Sequence, residues 1–138
     1  TDMNGNLFDI QHIGGVKIGN NVRIGALSTV VAGTLGSTIV EDYVKIDDHV
    51  HIAHNVKIGK SSRLTAGVII GGSTIIGKEA WIGPNSSILD GIVIGDDSFI
   101  GLGAVVIKPI PKGVVVVGNP AKVIRKLWIE NLLVKAFT

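Results

Sequence analysis

Cysteine is absent from the 138 residues, which excludes a disulfide frame, a thiolate nucleophile and a thiolate metal site. Aromatic residues make up only 4% of the chain, too few for a core of ordinary globular shape. Charge is nearly balanced: 13 Lys and Arg stand against 11 Asp and Glu, a net of +2, with no long basic run. That balance gives no support to a nucleic-acid partner, although mild basicity suits phosphate-bearing small molecules. No apolar run approaches a membrane-spanning length and no signal-peptide pattern opens the sequence, so a cytoplasmic protein is the expectation. What the chain does hold is glycine, 19 residues, within a 46% hydrophobic composition. One domain with a narrow aliphatic core and tight corners fits these numbers.

A period of six runs through the middle of the chain. Ile46, Ile52, Ile58, Leu64, Ile70, Ile76, Ile82, Ile88, Ile94, Ile100 and Val106 form an unbroken aliphatic series, and the position four on is small or aliphatic at Val50, Val56, Val68, Thr74, Ala80, Ile92 and Ala104. Six fits neither a helix nor a hairpin meander. It fits a chain wound around a triangular prism, one short strand and one corner per hexad and three hexads per 18-residue coil. The expected class is therefore all-β, a parallel β-helix. Residues 18 apart lie one above another, about 4.8 Å apart from coil to coil.

The first dozen residues are polar and aperiodic, an irregular lead-in of the kind that continues from a preceding domain. Ile18, Ile24 and Val30 start the repeat, which then slips by four residues before Val40, so Gly33, Thr34, Leu35, Gly36 and Ser37 are expected to leave the prism as a corner loop. Lys108 to Gly113 breaks the period with two prolines, and Val114 to Val117 can form a last strand. Residues 1–118 are thus assigned to the β-helix. Residues 119–138 are assigned to a C-terminal helix: Asn119 suits an N-cap, Pro120 the first turn, and Ile124, Leu127, Trp128 and Leu132 recur at helical spacing. On the outer faces, Trp81 over Phe99, Ile75 over Val93 and Ile69 above Val105 make apolar ladders that predict self-association, with a cyclic homotrimer suiting a triangular prism.

Three of the four histidines, His49, His51 and His54, fall in KIDDHVHIAHNVKIG. A lone histidine is more often a solvated surface residue than a catalyst, but the 18-residue step separates them. His54, two places after an inward isoleucine, heads a column that continues with Gly72, Asp90 and Lys108. A neutral imidazole can accept a proton near neutral pH. A glycine beneath it can offer a backbone N–H to an oxyanion, and a lysine three coils below the histidine, about 14 Å away, can meet a phosphate. Base, oxyanion donor and distant anion anchor in line suit an extended thioester such as acyl-coenzyme A. With equal weight, Gly72 is a plain corner glycine and Lys108 a solvated lysine.

The hexad ladder resembles the left-handed β-helix of the hexapeptide-repeat acyltransferases. QHIGGVKIG, GTLGSTIVEDYVKIDDHVHIAHNVKIG and AGVIIGGSTIIG look like UDP-3-O-acylglucosamine N-acyltransferase and related sugar N-acetyltransferases, and GAVVIKPIPKGVVVVGNPAKVIRK resembles the C-terminal signature of coenzyme A-dependent members. The left hand of the coil is implied by that resemblance alone. So are the roles of the IAHN histidine, here His54, as general base and of the second glycine of GGS, here Gly72, as oxyanion donor. The match departs at Gly91, where the lipid A enzyme has a second histidine, and at Val31 and Ala32, where it has Asp-Arg.

Together these readings predict transfer of an acyl group, acetyl above all, from coenzyme A to the amine of a nucleotide-linked amino sugar, with no metal and no covalent enzyme intermediate. Asn55 and Asp90 are expected to orient His54 or bind the sugar, and Lys108, Lys112, Lys122 and Arg125 to meet coenzyme A phosphates. O-acylation stays open, because His54 can equally deprotonate a hydroxyl. Two other readings compete: a γ-class carbonic anhydrase using His49 and His54 for zinc, whose register does not fit, and a trimerising module of a larger sugar-metabolism polypeptide.

Overall fold

Each hexad places two residues in the core, the period-six aliphatic and the residue four places on. Ile46, Ile52, Ile58, Leu64, Ile70, Ile82 and Ile100 are fully buried, and Val44, Val50, Val56, Val68, Ala80 and Ala104 fill the second position. Ser62, Thr74, Ser86 and Ser98 occupy that second position elsewhere and are also fully buried. Their hydroxyls are satisfied, as burial requires: Ser86 Oγ donates to the carbonyls of Gly83 and Gly101 at 2.6 and 3.0 Å.

The computed structural model describes residues 1–127. Strands β1 (Gly15–Ile18), β2 (Arg23–Ile24) and β3 (Thr29–Val30) make the first coil, and β4 (Ser37–Val40), β5 (Lys45–Ile46) and β6 (His51–Ile52) the second. The third holds β7 (Lys57–Ile58), β8 (Arg63–Leu64) and β9 (Ile69–Ile70); the fourth β10 (Ile75–Ile76), β11 (Trp81–Ile82) and β12 (Ser87–Ile88); the fifth β13 (Val93–Ile94), β14 (Phe99–Ile100) and β15 (Val105–Val106). Every third strand pairs in parallel, giving sheets β1-β4-β7-β10-β13 and β3-β6-β9-β12-β15, and a third built from β2-β5-β8-β11-β14 plus two later strands. From β4 to β15 the register is 18 residues, as in Ile52↔Ile70 and Ile82↔Ile100, and at the last step it shortens to 16, as in Ile94↔Ile110. Between β1 and β4 it is 22, as in Ile18↔Val40, so the four extra residues are absorbed outside the ladder. Among the described residues no coil precedes the first, and its inward residues Ile18 and Ile24 stay 45% and 39% exposed.

The corners repeat as regularly as the strands. From β4 to β14 the third residue after each inward aliphatic takes positive φ, whether glycine or not: Tyr43, His49, Asn55, Ser61, Ser73, Glu79, Asn85 and Asp97 all lie between 54° and 62°. Such a backbone costs a non-glycine residue about 1–2 kcal/mol. A bond from that residue's N–H to the preceding coil offsets it, as in Ser61 to Asp42, Ser73 to His54 and Asp97 to Lys78, at 2.9–3.0 Å.

The expected helix from 119 is not found in the described residues. After β16 (Val114–Val117) the chain turns through Gly118–Ala121 and returns as β17 (Lys122–Lys126), antiparallel to β16, with Val117↔Lys122 and Val114↔Lys126 paired. An edge strand leaves a row of N–H and C=O groups unmet. β17 meets them with a hairpin, whereas a helix there would leave the edge of β16 bare. Trp128 and Leu132, the remainder of the expected helix, lie outside the described residues. The apolar outer ladders form as the 18-residue step requires: Trp81 stacks on Phe99 with ring centroids 4.2 Å apart, and Ile75 pairs with Val93.

Candidate active site

One corner departs from the common pattern. Its left-handed residue is Asn55, φ 60°, and the coil before it is the one that carries the 31–36 excursion. In place of a carbonyl, the Asn55 N–H meets the Thr38 hydroxyl at 2.9 Å, and that hydroxyl donates to the Val31 carbonyl at 2.6 Å. The Asn55 side chain grips the excursion itself, its Oδ1 accepting the N–H and the hydroxyl of Thr34 at 3.0 and 2.9 Å. Gly14 and Ile13 fix the far side of the loop by donating to the carbonyls of Gly33 and Thr34.

His54 stands beside this knot, half-buried. Its Nδ1 is 3.2 Å from Asn55 Oδ1. Two Thr34 donors identify that atom as the amide oxygen, which only accepts, so the proton of a neutral His54 sits on Nδ1 and the Nε2 lone pair is left open. Beneath the ring is Gly72: a Cβ added there would stand 2.6 Å from His54 Cε1 and Nε2. Only glycine lets the ring lie this close to the next coil's backbone.

Gly72 differs from the corners like it. Asn20, Ala26 and Lys78 follow a corner glycine as Gly72 does, and each donates its N–H at 2.7 Å to an aspartate of the next coil, Asp42, Asp48 and Asp96 respectively. Asp90 occupies the matching place, its Oδ1 lying against the Cα of Gly71. Yet the Gly72 N–H makes no hydrogen bond among the described residues. An N–H beside an open imidazole nitrogen is an arrangement that can serve an oxyanion.

The structure brings His54, Asn55 and Gly72 together, and sets Asp90 and Lys108 down the same corner, each two places after an inward residue of the sheet β3-β6-β9-β12-β15. It does not gather the other cations. Lys112 is on the next corner, between Ile110 and β16, while Lys122 and Arg125 ride on β17 in the sheet begun by β2. His49 is exposed, and His51 is exposed with its Nδ1 2.7 Å from Thr29 Oγ1. Among the described residues no three His, Asp or Glu side chains gather as a metal-binding group. Sequence reasoning missed His12, whose ring lies edge-on to His54, with centroids 5.5 Å apart and planes at 83°. It sits in the aperiodic lead-in, where no spacing rule could single it out.

Comparison with known proteins places this corner in context. The model of bacterial transferase hexapeptide repeats matches residues 37–72 and 73–108, together just over half of the chain, and that of the hexapeptide repeat of succinyl-transferase matches residues 15–47. UDP-3-O-acylglucosamine N-acyltransferase from Rickettsia prowazekii is 55% identical over 69 residues, which are 50% of this chain and 20% of the relative. A second such enzyme, from Legionella pneumophila strain Paris, is 52% identical over 67 residues, 49% of this chain and 20% of its own. The chain thus spans about a fifth of the length of these curated relatives. Among solved structures, UDP-N-acetylglucosamine O-acyltransferase from Moraxella catarrhalis superposes with a TM-score of 0.83 at 29% identity, over 92% of this chain and 51% of that one.

Proposed function

The chain belongs to the bacterial transferase hexapeptide family, and from that membership we propose that it carries the catalytic corner of an acyl-coenzyme A-dependent N-acyltransferase acting on a nucleotide-linked amino sugar. The observation that carries the proposal is the His54 imidazole, held by Asn55 and lying directly over Gly72, whose N–H makes no hydrogen bond among the described residues. The N-acyltransferase names of the relatives matched at 52–55% identity support an amine acceptor. We read the coil as left-handed, the hand that the family resemblance implies.

In this mechanism the sugar amine attacks the thioester carbonyl while its proton passes to His54 Nε2. The former carbonyl oxygen takes the negative charge and is held by the Gly72 N–H. Collapse breaks the C–S bond, and the sulfur leaves as a thiol after accepting the proton from His54. General-base help is worth about 10²- to 10⁴-fold, and an oxyanion donor about 3 kcal/mol. Asn55 keeps the proton of the resting imidazole on Nδ1, so Nε2 faces the reaction. Asp90, one coil beyond Gly72, is available to the sugar. Lys108, further down the column, is available to the phosphates of coenzyme A, the donor being acetyl-coenzyme A in the simplest case. Lys112, Lys122 and Arg125 serve the same donor only by reaching around the prism or across a subunit boundary.

The ladders of Trp81 on Phe99 and Ile75 beside Val93 are the surfaces on which we expect a homotrimer to close, with the His54 corner between neighbours. Light scattering giving three chain masses supports this arrangement, and a monomer at working concentrations contradicts it. The decisive activity test incubates the protein with acetyl-coenzyme A and a panel of nucleotide-linked amino sugars and measures release of free thiol. Transfer that falls by 10² or more in His54→Ala supports the reading; transfer that is absent from the parent protein, or unchanged by the substitution, defeats it. A second reading, O-acylation, is favoured by the name of the Moraxella catarrhalis structure. The same panel, with hydroxyl acceptors added, separates the two by product.

A further inference from the structure

His12 is tied to the site through one atom and touches it through another part of its ring. Its Nδ1 is 2.8 Å from the Ala32 carbonyl. A carbonyl only accepts, so this nitrogen carries a proton. Ala32 belongs to the same excursion that Asn55 holds at Thr34, and the flanking Ile13 and Gly14 N–H groups donate to the excursion at 2.9–3.0 Å. The lead-in is thereby docked at residues 12–14 although its earlier side chains, among them Leu7, Phe8 and Ile10, are exposed. The ring that this docking presents stands perpendicular to His54 at 5.5 Å, within the range of an edge-to-face aromatic pair.

We propose that His12 is a positioning residue of the transfer site, one that holds the His54 imidazole in its place over Gly72. His54 has three constraints in this arrangement: Asn55 Oδ1 at Nδ1, Gly72 under the ring, and the His12 ring beside it. Asn55 holds the ring at one nitrogen through a 3.2 Å contact, which still lets the ring rock by small changes in χ1 and χ2. A second ring at right angles restricts that rocking, so Nε2 stays directed at the acceptor amine. Because the lead-in and the excursion meet through the Ala32 bond, the four-residue slip in the repeat serves the base from both sides, through Asn55 and through His12. The inference rests on the reading of His54 as the base, but the ring contact can be tested without it.

Three substitutions divide the possibilities. His12→Asn keeps an N–H near the position of Nδ1 for Ala32 but removes the ring; His12→Phe keeps a flat ring but loses the Ala32 bond; His12→Ala loses both. The expected result for His12→Asn is an unchanged melting midpoint, a kcat lower by about 10- to 100-fold with KM for acetyl-coenzyme A little altered, and displaced His54 ring signals in long-range proton–nitrogen NMR spectra. His12→Phe should recover part of kcat, and His12→Ala should be the worst of the three. If His12→Asn shows the parent kcat and undisplaced His54 signals, His12 is only a staple for the lead-in and the proposal is overturned. Should no acceptor be turned over by the parent protein, the acyltransferase reading falls while the NMR comparison still decides whether His12 orders the His54 ring.

Discussion

Asn55 accepts two hydrogen bonds from Thr34, from its N–H at 3.0 Å and its hydroxyl at 2.9 Å, and so joins the corner that holds His54 to the excursion at 31–36. Asn55→Ala removes these bonds, leaves a half-buried N–H unmet, and puts an alanine at φ 60°. Lost bonds of this kind cost about 1–3 kcal/mol, and the left-handed backbone about 1 kcal/mol more for alanine than for glycine. Asn55→Gly should therefore be more stable than Asn55→Ala by about 1 kcal/mol in urea unfolding. Both should show the same fall in kcat, about 10- to 100-fold, because each frees His54 Nδ1. Equal stability of the two variants would show that the backbone at 55 relaxes.

Gly72→Ala is expected to separate activity from stability. The residue is buried but its φ is not positive, so alanine suits its backbone. The new methyl group, 2.6 Å from His54 Cε1 and Nε2, displaces the half-buried imidazole. A ring can swing toward solvent cheaply, so the unfolding midpoint should shift by less than the equivalent of about 1 kcal/mol. The same swing removes Nε2 from the acceptor, and kcat should fall by about 10² or more.

Most of the prism is legible in the sequence because its repeat is enforced by burial. A polar residue in place of Ile70 or Ile82 would sit fully buried without a partner, so the period cannot drift. The 18-residue step put His54 over Gly72 for the same reason, and the slip before Val40 marked the excursion because a ladder cannot absorb extra residues. Two features escaped. Lys122 to Lys126 satisfies helical spacing and strand propensity about equally, and the choice is made by the open edge of β16, a partner that no local pattern reveals. His12 lies outside the repeat, and its place depends on backbone bonds from Ile13 and Gly14 to the excursion.

Two glycines, Gly77 and Gly103, should both lose stability on substitution by alanine, but by different amounts and for different reasons. A Cβ at Gly77 would stand 2.5 Å from Asp96 N and 2.7 Å from Gly95 C. Those are backbone atoms of the next coil, which cannot retreat without stretching the ladder. Gly77→Ala should thus cost about 3 kcal/mol or more. Gly103 has φ 65° and nothing within 4 Å of a Cβ, so Gly103→Ala should cost about 1–2 kcal/mol, from the backbone alone. Asparagine tolerates this conformation better than alanine, and Gly103→Asn should recover part of the loss. Denaturant midpoints of the three variants check the order, and a Gly77→Ala protein as stable as Gly103→Ala would mean that the coils slide apart more easily than their spacing suggests.

Thr38 is fully buried, and its hydroxyl stands between the Asn55 N–H at 2.9 Å and the Val31 carbonyl at 2.6 Å. At the other corners a carbonyl of the preceding coil receives the N–H of the left-handed residue; here the excursion has taken that carbonyl away. Thr38→Val preserves shape and leaves a half-buried donor and a half-buried acceptor unmet, at a cost of about 1–3 kcal/mol. Thr38→Ser keeps the hydroxyl and loses one methyl group, at about 1 kcal/mol. Activity should follow the hydroxyl. In Thr38→Val the Asn55 corner loses its anchor and kcat should fall with it, while Thr38→Ser should retain most of the parent rate. The comparison is made by kcat at a temperature where far-ultraviolet circular dichroism shows both variants folded. A Thr38→Val protein with full activity would mean that Thr34 alone suffices to hold Asn55, and through it His54, in place.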